Sequence, residues 1–250
     1  MLDAETLADL LLAIFAIALG GTLKGATGAG APVVAVPVLA ILFSVELAVV
    51  IFVVPNLLTN IWQGWQYRAY RLPVRFTWVY AVGGGLGAVF GSYLLAMVAP
   101  KALLLSVAGV VIAYIAFRLA RPGWALKQAR AFAIVWPAGI AAGVLQGATG
   151  VSAPISVTFL NAMQLPRVVF IATISVFFAV MSLVQIPALI WLGLLDVTRL
   201  WLGLAAVVPL LLFMPVGNFL AQHVSRQVFD RVILILLALI ATRLIWQALG

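Results

Sequence analysis

The sequence predicts an all-α integral membrane protein: two homologous halves arranged as an inverted repeat, with about eight full spans and two short half-helices, broken or re-entrant. Three observations predict it. Of 250 residues, 66% are hydrophobic and 8% charged; a soluble domain carries about 25% charged residues, so this chain cannot cover a water-facing surface. A twelve-residue phrase, Gly21-Thr-Leu-Lys-Gly-Ala-Thr-Gly-Ala-Gly-Ala-Pro32, returns 122 residues later as Gly143-Val-Leu-Gln-Gly-Ala-Thr-Gly-Val-Ser-Ala-Pro154, with eight positions identical. Each copy precedes an apolar run too short to cross about 30 Å of hydrocarbon, which takes about 20 helical residues.

Hydrophobic runs bounded by charges or turn residues give segments at 6–23, 31–43, 46–66, 76–97 and 102–119, then at 131–146, 153–164, 167–193, 199–221 and 227–248. The first follows an acidic start (Asp3, Glu5, Asp9), whereas a secretory signal starts with a cationic stretch, so a retained helix is expected. Segments 31–43 and 153–164 are the undersized pair, and the chain is expected to unwind before them, at Gly25–Gly30 and Gly147–Ser152. The third segment ends in Trp62, Trp65, Tyr67 and Tyr70, an interfacial aromatic belt. In the fourth, Gly83-Gly-Gly-Leu-Gly87 has no strand before it and reads as close helix packing rather than a nucleotide loop.

Residues 1–119 form the first half, 120–130 a basic linker and 131–250 the second half. At an offset drifted to 126, Gly91-Ser-Tyr-Leu aligns with Gly217-Asn-Phe-Leu, and Gln63 falls opposite Gln185 at the original offset. Five segments per half is an odd number, so the halves run oppositely through the membrane. Inversion puts Arg68, Arg71, Arg75, Arg118, Arg121, Lys127, Arg130, Arg167, Arg226 and Arg231 on one side and Lys101, Arg199 and Arg243 on the other. Ten against three fits cytoplasmic enrichment of Lys and Arg better than the nine against four of parallel halves. Both termini are then expected outside.

A glycine-rich break within apolar chain frees backbone groups that lipid cannot satisfy, so it survives against protein or around a polar cavity. Two such breaks at corresponding points of two halves point to a transporter's binding site. Gly25, Gly28 and Gly30, with Gly147 and Gly150, let the chain leave the helix, and Pro32 and Pro154 suit the first turn of a new one. The new helix starts offer N–H groups and a partial positive charge to an anion, and Thr27, Thr149 and Ser152 add hydroxyls. Tight packing through small residues is the competing reading.

Lys24 is the charged side chain within the motif, with Gln146 as its counterpart. An ammonium at membrane depth marks function by default; the competing reading has its stem snorkelling to headgroups. Asn56, Thr59, Asn60 and Gln63 make a polar stripe on one helix face, behind Pro55, which would kink the helix. Ser175, Ser182 and Gln185 with Pro187 occupy the comparable stretch, lining a cavity or gluing helices at about 0.6 kcal/mol each. Asn161 reads as a cap or turn. Glu46 and Asp196 sit at segment ends, Asp230 in a loop beside Arg226 and Arg231.

No cysteine occurs, which removes disulfides and thiol chemistry. Clustered metal ligands are missing from the sequence, and His223, the single histidine, falls in a predicted loop away from any serine motif. No catalytic residue, metal or cofactor is therefore expected. The net charge of +8 lies in short loops rather than a basic patch, so nucleic acid is not a partner. The expected partners are a small anion, the lipid bilayer and a coupling proton or ion. A non-transporting scaffold or assembly subunit is the alternative, and it leaves the duplicated break without a purpose.

The doubled Gly-rich phrase, each copy ending in Ala-Pro and opening a short apolar segment, resembles the TauE/SafE family of sulfite exporters over nearly the whole chain. That resemblance implies a plasma-membrane (inner-membrane) permease for sulfite, sulfoacetate or a related organosulfonate. It carries the site to Gly25, Thr27, Gly28, Gly30 and Pro32, and to Gly147, Thr149, Gly150 and Pro154. Where the first copy reads Gly-Ala-Gly, the second reads Gly-Val-Ser, a departure expected to make the second break less permissive.

Overall fold

The computed structural model describes residues 4–121, 123–223 and 226–249; side chains at 4, 5, 226–230 and 232 lie outside that description. Ten α-helices follow in order: α1 (Ala4–Thr27), α2 (Ala31–Leu42), α3 (Val45–Gln66), α4 (Val74–Met97), α5 (Pro100–Ala120), α6 (Gln128–Thr149), α7 (Ala153–Ala162), α8 (Arg167–Trp191), α9 (Val197–His223) and α10 (Arg226–Leu249). Among the described residues, α1, α3, α4, α5, α6, α8 and α9 are long and apolar enough to cross a membrane. At 1.5 Å per residue, the 12 residues of α2 and the 10 of α7 reach only about 18 and 15 Å. Large apolar side chains such as Phe15, Phe90, Leu212 and Trp246 stay exposed, as lipid contact requires.

Both breaks are narrower than the sequence suggests. α1 continues through Gly25 to Thr27, and α6 through Gly147 to Thr149. Each helix then ends on a glycine in the left-handed region: Gly28 at φ +85° and Gly150 at φ +72°. The Gly28 N–H bonds to Lys24 O at 2.6 Å, and the Gly150 N–H to Gln146 O at 2.8 Å. This αL end is one that glycine adopts without a Cβ penalty. Ser152, opposite Gly30, has φ −103°, a value open to any residue, so the Gly-to-Ser departure leaves the second break no less permissive. α3 continues through Pro55 and α8 through Pro187.

Gly25 and Gly147 instead serve helix packing. A Cβ on Gly25 would collide with the Met214 carbonyl of α9, and one on Gly147 with the Ala88 carbonyl of α4. The same relationship recurs along both interfaces. Gly21 meets Leu210 and Gly143 meets Gly84, while Gly217 meets the Thr22 carbonyl and Gly91 the Val144 carbonyl. Every one of these pairs maps onto its counterpart at offsets of 122 and 126. The first helix of each half therefore packs on the fourth helix of the other, with backbones close enough that only glycine fits.

α3 and α8 meet at the centre. Asn56 bonds Ser182, and Ser175 bonds Gln63; the numbers rise on one helix as they fall on the other, so the two run antiparallel. Three polar residues expected in loops lie in helices instead. His223 closes α9, its Nδ1 2.8 Å from Phe219 O and its ring stacked on Phe219. Arg226 and Asp230 belong to α10, which starts earlier than the charged loop suggested; their side chains, like residue Asp3, lie outside the described structure. Glu46 and Asp196 are more than solvated helix ends: both reach Arg199, Glu46 at 2.8 Å and Asp196 at 3.9 Å.

Candidate functional site

A polar chain crosses the buried centre. Lys24, 1% exposed, donates from Nζ to Asn60 Oδ1 at 2.7 Å. Asn60 Nδ2 donates to Asn56 O at 2.7 Å and Asn56 Oδ1 at 2.9 Å, and Asn56 Nδ2 donates to Ser182 Oγ at 3.0 Å. The stripe at positions 56, 60 and 63 places these groups on the one face of α3 that meets α1 and α8. Lys24 thus points into protein, not to headgroups. Among the described residues no carboxylate pairs with it, so the buried amino group has a neutral amide oxygen as its partner. Gln146 and Gln185 are also buried, and each keeps one unbonded atom, Gln146 Oε1 and Gln185 Nε2.

The threonines of the two phrases behave identically. Thr27 Oγ1 donates to Leu23 O at 2.8 Å and accepts from the Ala29 N–H at 3.3 Å. Thr149 Oγ1 donates to Leu145 O at 2.7 Å and accepts from the Val151 N–H at 3.3 Å. Their protons are spent on the preceding helical turn, which closes the helix end and leaves no hydroxyl donor for a ligand. Ser152 Oγ lies 3.1 Å from Ser156 Oγ, and Ser156 Oγ donates to Ser152 O at 3.0 Å.

The two breaks differ in access. Ala26, Thr27, Ala29 and Gly30 line a cavity of about 330 Å³ together with Arg118, Asn161 and Arg167. A second hollow of about 350 Å³ adjoins it, sharing Arg118, Asn161 and Leu165 and adding Arg121 and Trp124, so the opening lies on the linker face. Gly28 and Ala29 are buried like Gly150 and Val151; the difference lies in Thr27 and Gly30, which are part-exposed, against Thr149 and Ser152, which are buried. Arg167 holds the first break from α8: Nη2 donates to Gly25 O at 3.1 Å, Ala26 O at 3.2 Å and Asn218 Oδ1 at 3.1 Å, and Nε to Ala26 O at 3.4 Å. A guanidinium at the carbonyl end of α1 opposes the negative end of the helix dipole.

Of the residues singled out from sequence, Lys24, Asn56 and Asn60 come together directly, and Gln63 lies two turns further along α3, 3.5 Å from Ser175 Oγ. Gly30 and Thr27 border the cavity, while Gly28 and Gly150 shape the breaks. Gly25 joins through its carbonyl, under Arg167. Arg167 and Arg118 were passed over because basic residues at segment ends serve equally as topology markers, and Asn218 because it stood only as part of the Gly217-Asn-Phe-Leu repeat. The one available signal was that Arg167 follows Pro166 directly at a helix start.

An apolar exterior around helices that are twice interrupted, with amide and ammonium groups buried inside, defines a multi-pass membrane protein. The family model described as Sulfite exporter TauE/SafE matches residues 13–244, and the chain belongs to that family. It is therefore a membrane transporter rather than an enzyme, with a small anion as substrate and the lipid bilayer as its setting. No curated protein and no solved structure matches the chain.

Proposed function

We propose that this protein is a secondary transporter of the plasma membrane that moves sulfite, sulfoacetate or a related organosulfonate by alternating access. One observation carries the reading: the two equivalent breaks stand in different states, the first bordering a cavity on the linker face and the second buried. In an inverted repeat, exchanging the conformations of the halves turns a carrier from one face to the other around a fixed site. The antiparallel run of α3 and α8, equivalent helices at an offset of 122, supports inversion. The excess of arginine on the linker face supports a cytoplasmic linker with both termini outside.

The substrate meets Lys24 and the Asn60–Asn56–Ser182 chain. A buried ammonium matched by a single amide oxygen leaves positive charge uncompensated, and burying such a charge unpaired is costly. A bound sulfite or sulfonate supplies the missing countercharge; the orphan Gln185 Nε2 lies one turn beyond Ser182 on α8, away from Lys24. Reconstituted protein should move labelled sulfite or sulfoacetate into vesicles faster than protein-free vesicles do. Equal rates in both preparations would overturn the proposal.

A further inference from the structure

The two halves offer equivalent positions for two mouths, one on each face, and the sequence has filled them with opposite chemistry. On the linker face the cavity beside the first break is lined by Arg167, Arg118 and Asn161. Shifting these positions into the other half by the repeat offsets gives Val45, Leu244 and Leu39. Those three are 4%, 0% and 2% exposed and belong to one closed apolar core. An exchange of conformations would therefore open an outer mouth with no charge at any of the three positions.

Arg167 is the residue that makes the difference count. Its guanidinium spends Nε and Nη2 on the α1 carbonyls and Asn218, and among the described residues Nη1 makes no hydrogen bond and no carboxylate pairs with the group. Nη1 keeps two N–H donors for an oxyanion, while Nε and Nη2 keep the end of α1. Arg118, which lines both hollows and keeps a contact of its own, adds charge from α5. The clustering of one sign at this mouth raises the local concentration of anions.

We infer that the linker-face cavity is a loading site for the oxyanion, held by Arg167, and that its apolar counterpart gives the opposite face a much weaker one. This rests on the proposed transport of sulfite or a sulfonate. The consequence is a sidedness of half-saturation. It does not set the direction of net flux, because detailed balance in a carrier offsets unequal site affinities with an unequal conformational equilibrium.

The test is zero-trans flux of sulfoacetate in vesicles of phosphatidylcholine alone, measured from each face. The chain lacks cysteine, so Lys127→Cys in the exposed linker, labelled with an impermeant maleimide, reports which face is outward. The wild-type protein should half-saturate at about tenfold lower concentration from the linker face. Arg167→Gln should raise that value about tenfold and leave the opposite face within twofold, and Arg167→Lys should fall between. Equal half-saturation from both faces of the wild-type protein would overturn the inference while leaving transport standing; no flux at all sinks the transport reading itself. A lowered unfolding temperature in Arg167→Gln with sidedness unchanged assigns Arg167 to capping α1 alone and also overturns it. If the Arg167 effect appears only when phosphatidylglycerol is added, the ligand is a lipid headgroup and the loading site is refuted. Binding is checked without flux: in purified protein, sulfoacetate should slow maleimide modification of Leu165→Cys, at a part-exposed position lining both hollows, and Arg167→Gln should abolish that protection.

Discussion

Lys24 on α1 and Asn60 on α3 are joined by a 2.7 Å hydrogen bond, and both are buried, at 1% and 0% exposed. The pair joins the helix that carries the first break to the central helix of the same half. In the other half the same positions hold Gln146 and Ser182, both neutral. The ionisable group at the centre is therefore a property of one half alone, within an otherwise doubled frame.

Lys24→Met should cut sulfoacetate flux at least about tenfold without lowering the thermal unfolding temperature. Replacing a buried charge by an apolar side chain of similar volume is often neutral or stabilising by about 1–4 kcal/mol, so loss of flux with an intact fold separates function from stability. Flux within twofold of wild type would remove Lys24 from the substrate's path.

Gly25→Ala and Gly147→Ala should each destabilise the protein by about 1–3 kcal/mol, the usual cost of overpacking. In both, the added methyl collides with a backbone carbonyl, of Met214 or Ala88, and no rotamer change can relieve that. Unfolding temperatures in detergent read the effect, and wild-type values for both variants would show that the helices separate freely.

Thr27→Val together with Thr149→Val should cost about 1 kcal/mol of stability per hydroxyl, the net worth of an ordinary hydrogen bond, and keep flux within about threefold. Their protons already go to Leu23 and Leu145 carbonyls. A loss of flux greater than about thirtyfold with the fold intact would place the hydroxyls against substrate after all.

Arg199 and Glu46 tie α9 to α3 on the face opposite the linker, at 2.8 Å with side chains 29% and 38% exposed. Such part-exposed pairs are worth about 1 kcal/mol or less, enough to bias two states that lie close in energy. Val151→Cys should react slowly with an impermeant thiol reagent from that face, and adding Glu46→Gln should speed the reaction severalfold. An unchanged rate would show that the pair does not hold that face shut.

Much of the architecture was legible beforehand because lipid leaves the backbone few choices. The short helices after each phrase followed from counting apolar residues against the hydrocarbon thickness, and Gly28 and Gly150 from the need to leave a helix without a Cβ penalty. The phrase did not reveal that its glycines divide the work. Gly28 and Gly150 turn the chain, whereas Gly25 and Gly147 admit a neighbouring backbone; a glycine three or four residues from another serves either purpose until its partner helix is known. The stripe Asn56, Asn60 and Gln63 was visible as one helix face, but not that Lys24 would complete it.

What the sequence by itself determined is the set of helices, their two interruptions and the doubling, since in a membrane each segment must satisfy its own backbone hydrogen bonds locally. Only the tertiary structure decided that Lys24 turns inward to Asn60, that Arg167 reaches across to the Gly25 and Ala26 carbonyls, and that one break borders a cavity while its twin is buried. Those outcomes depend on how closely and in what register distant helices approach, a matter of side-chain shape across about 140 residues of chain that no local pattern encodes.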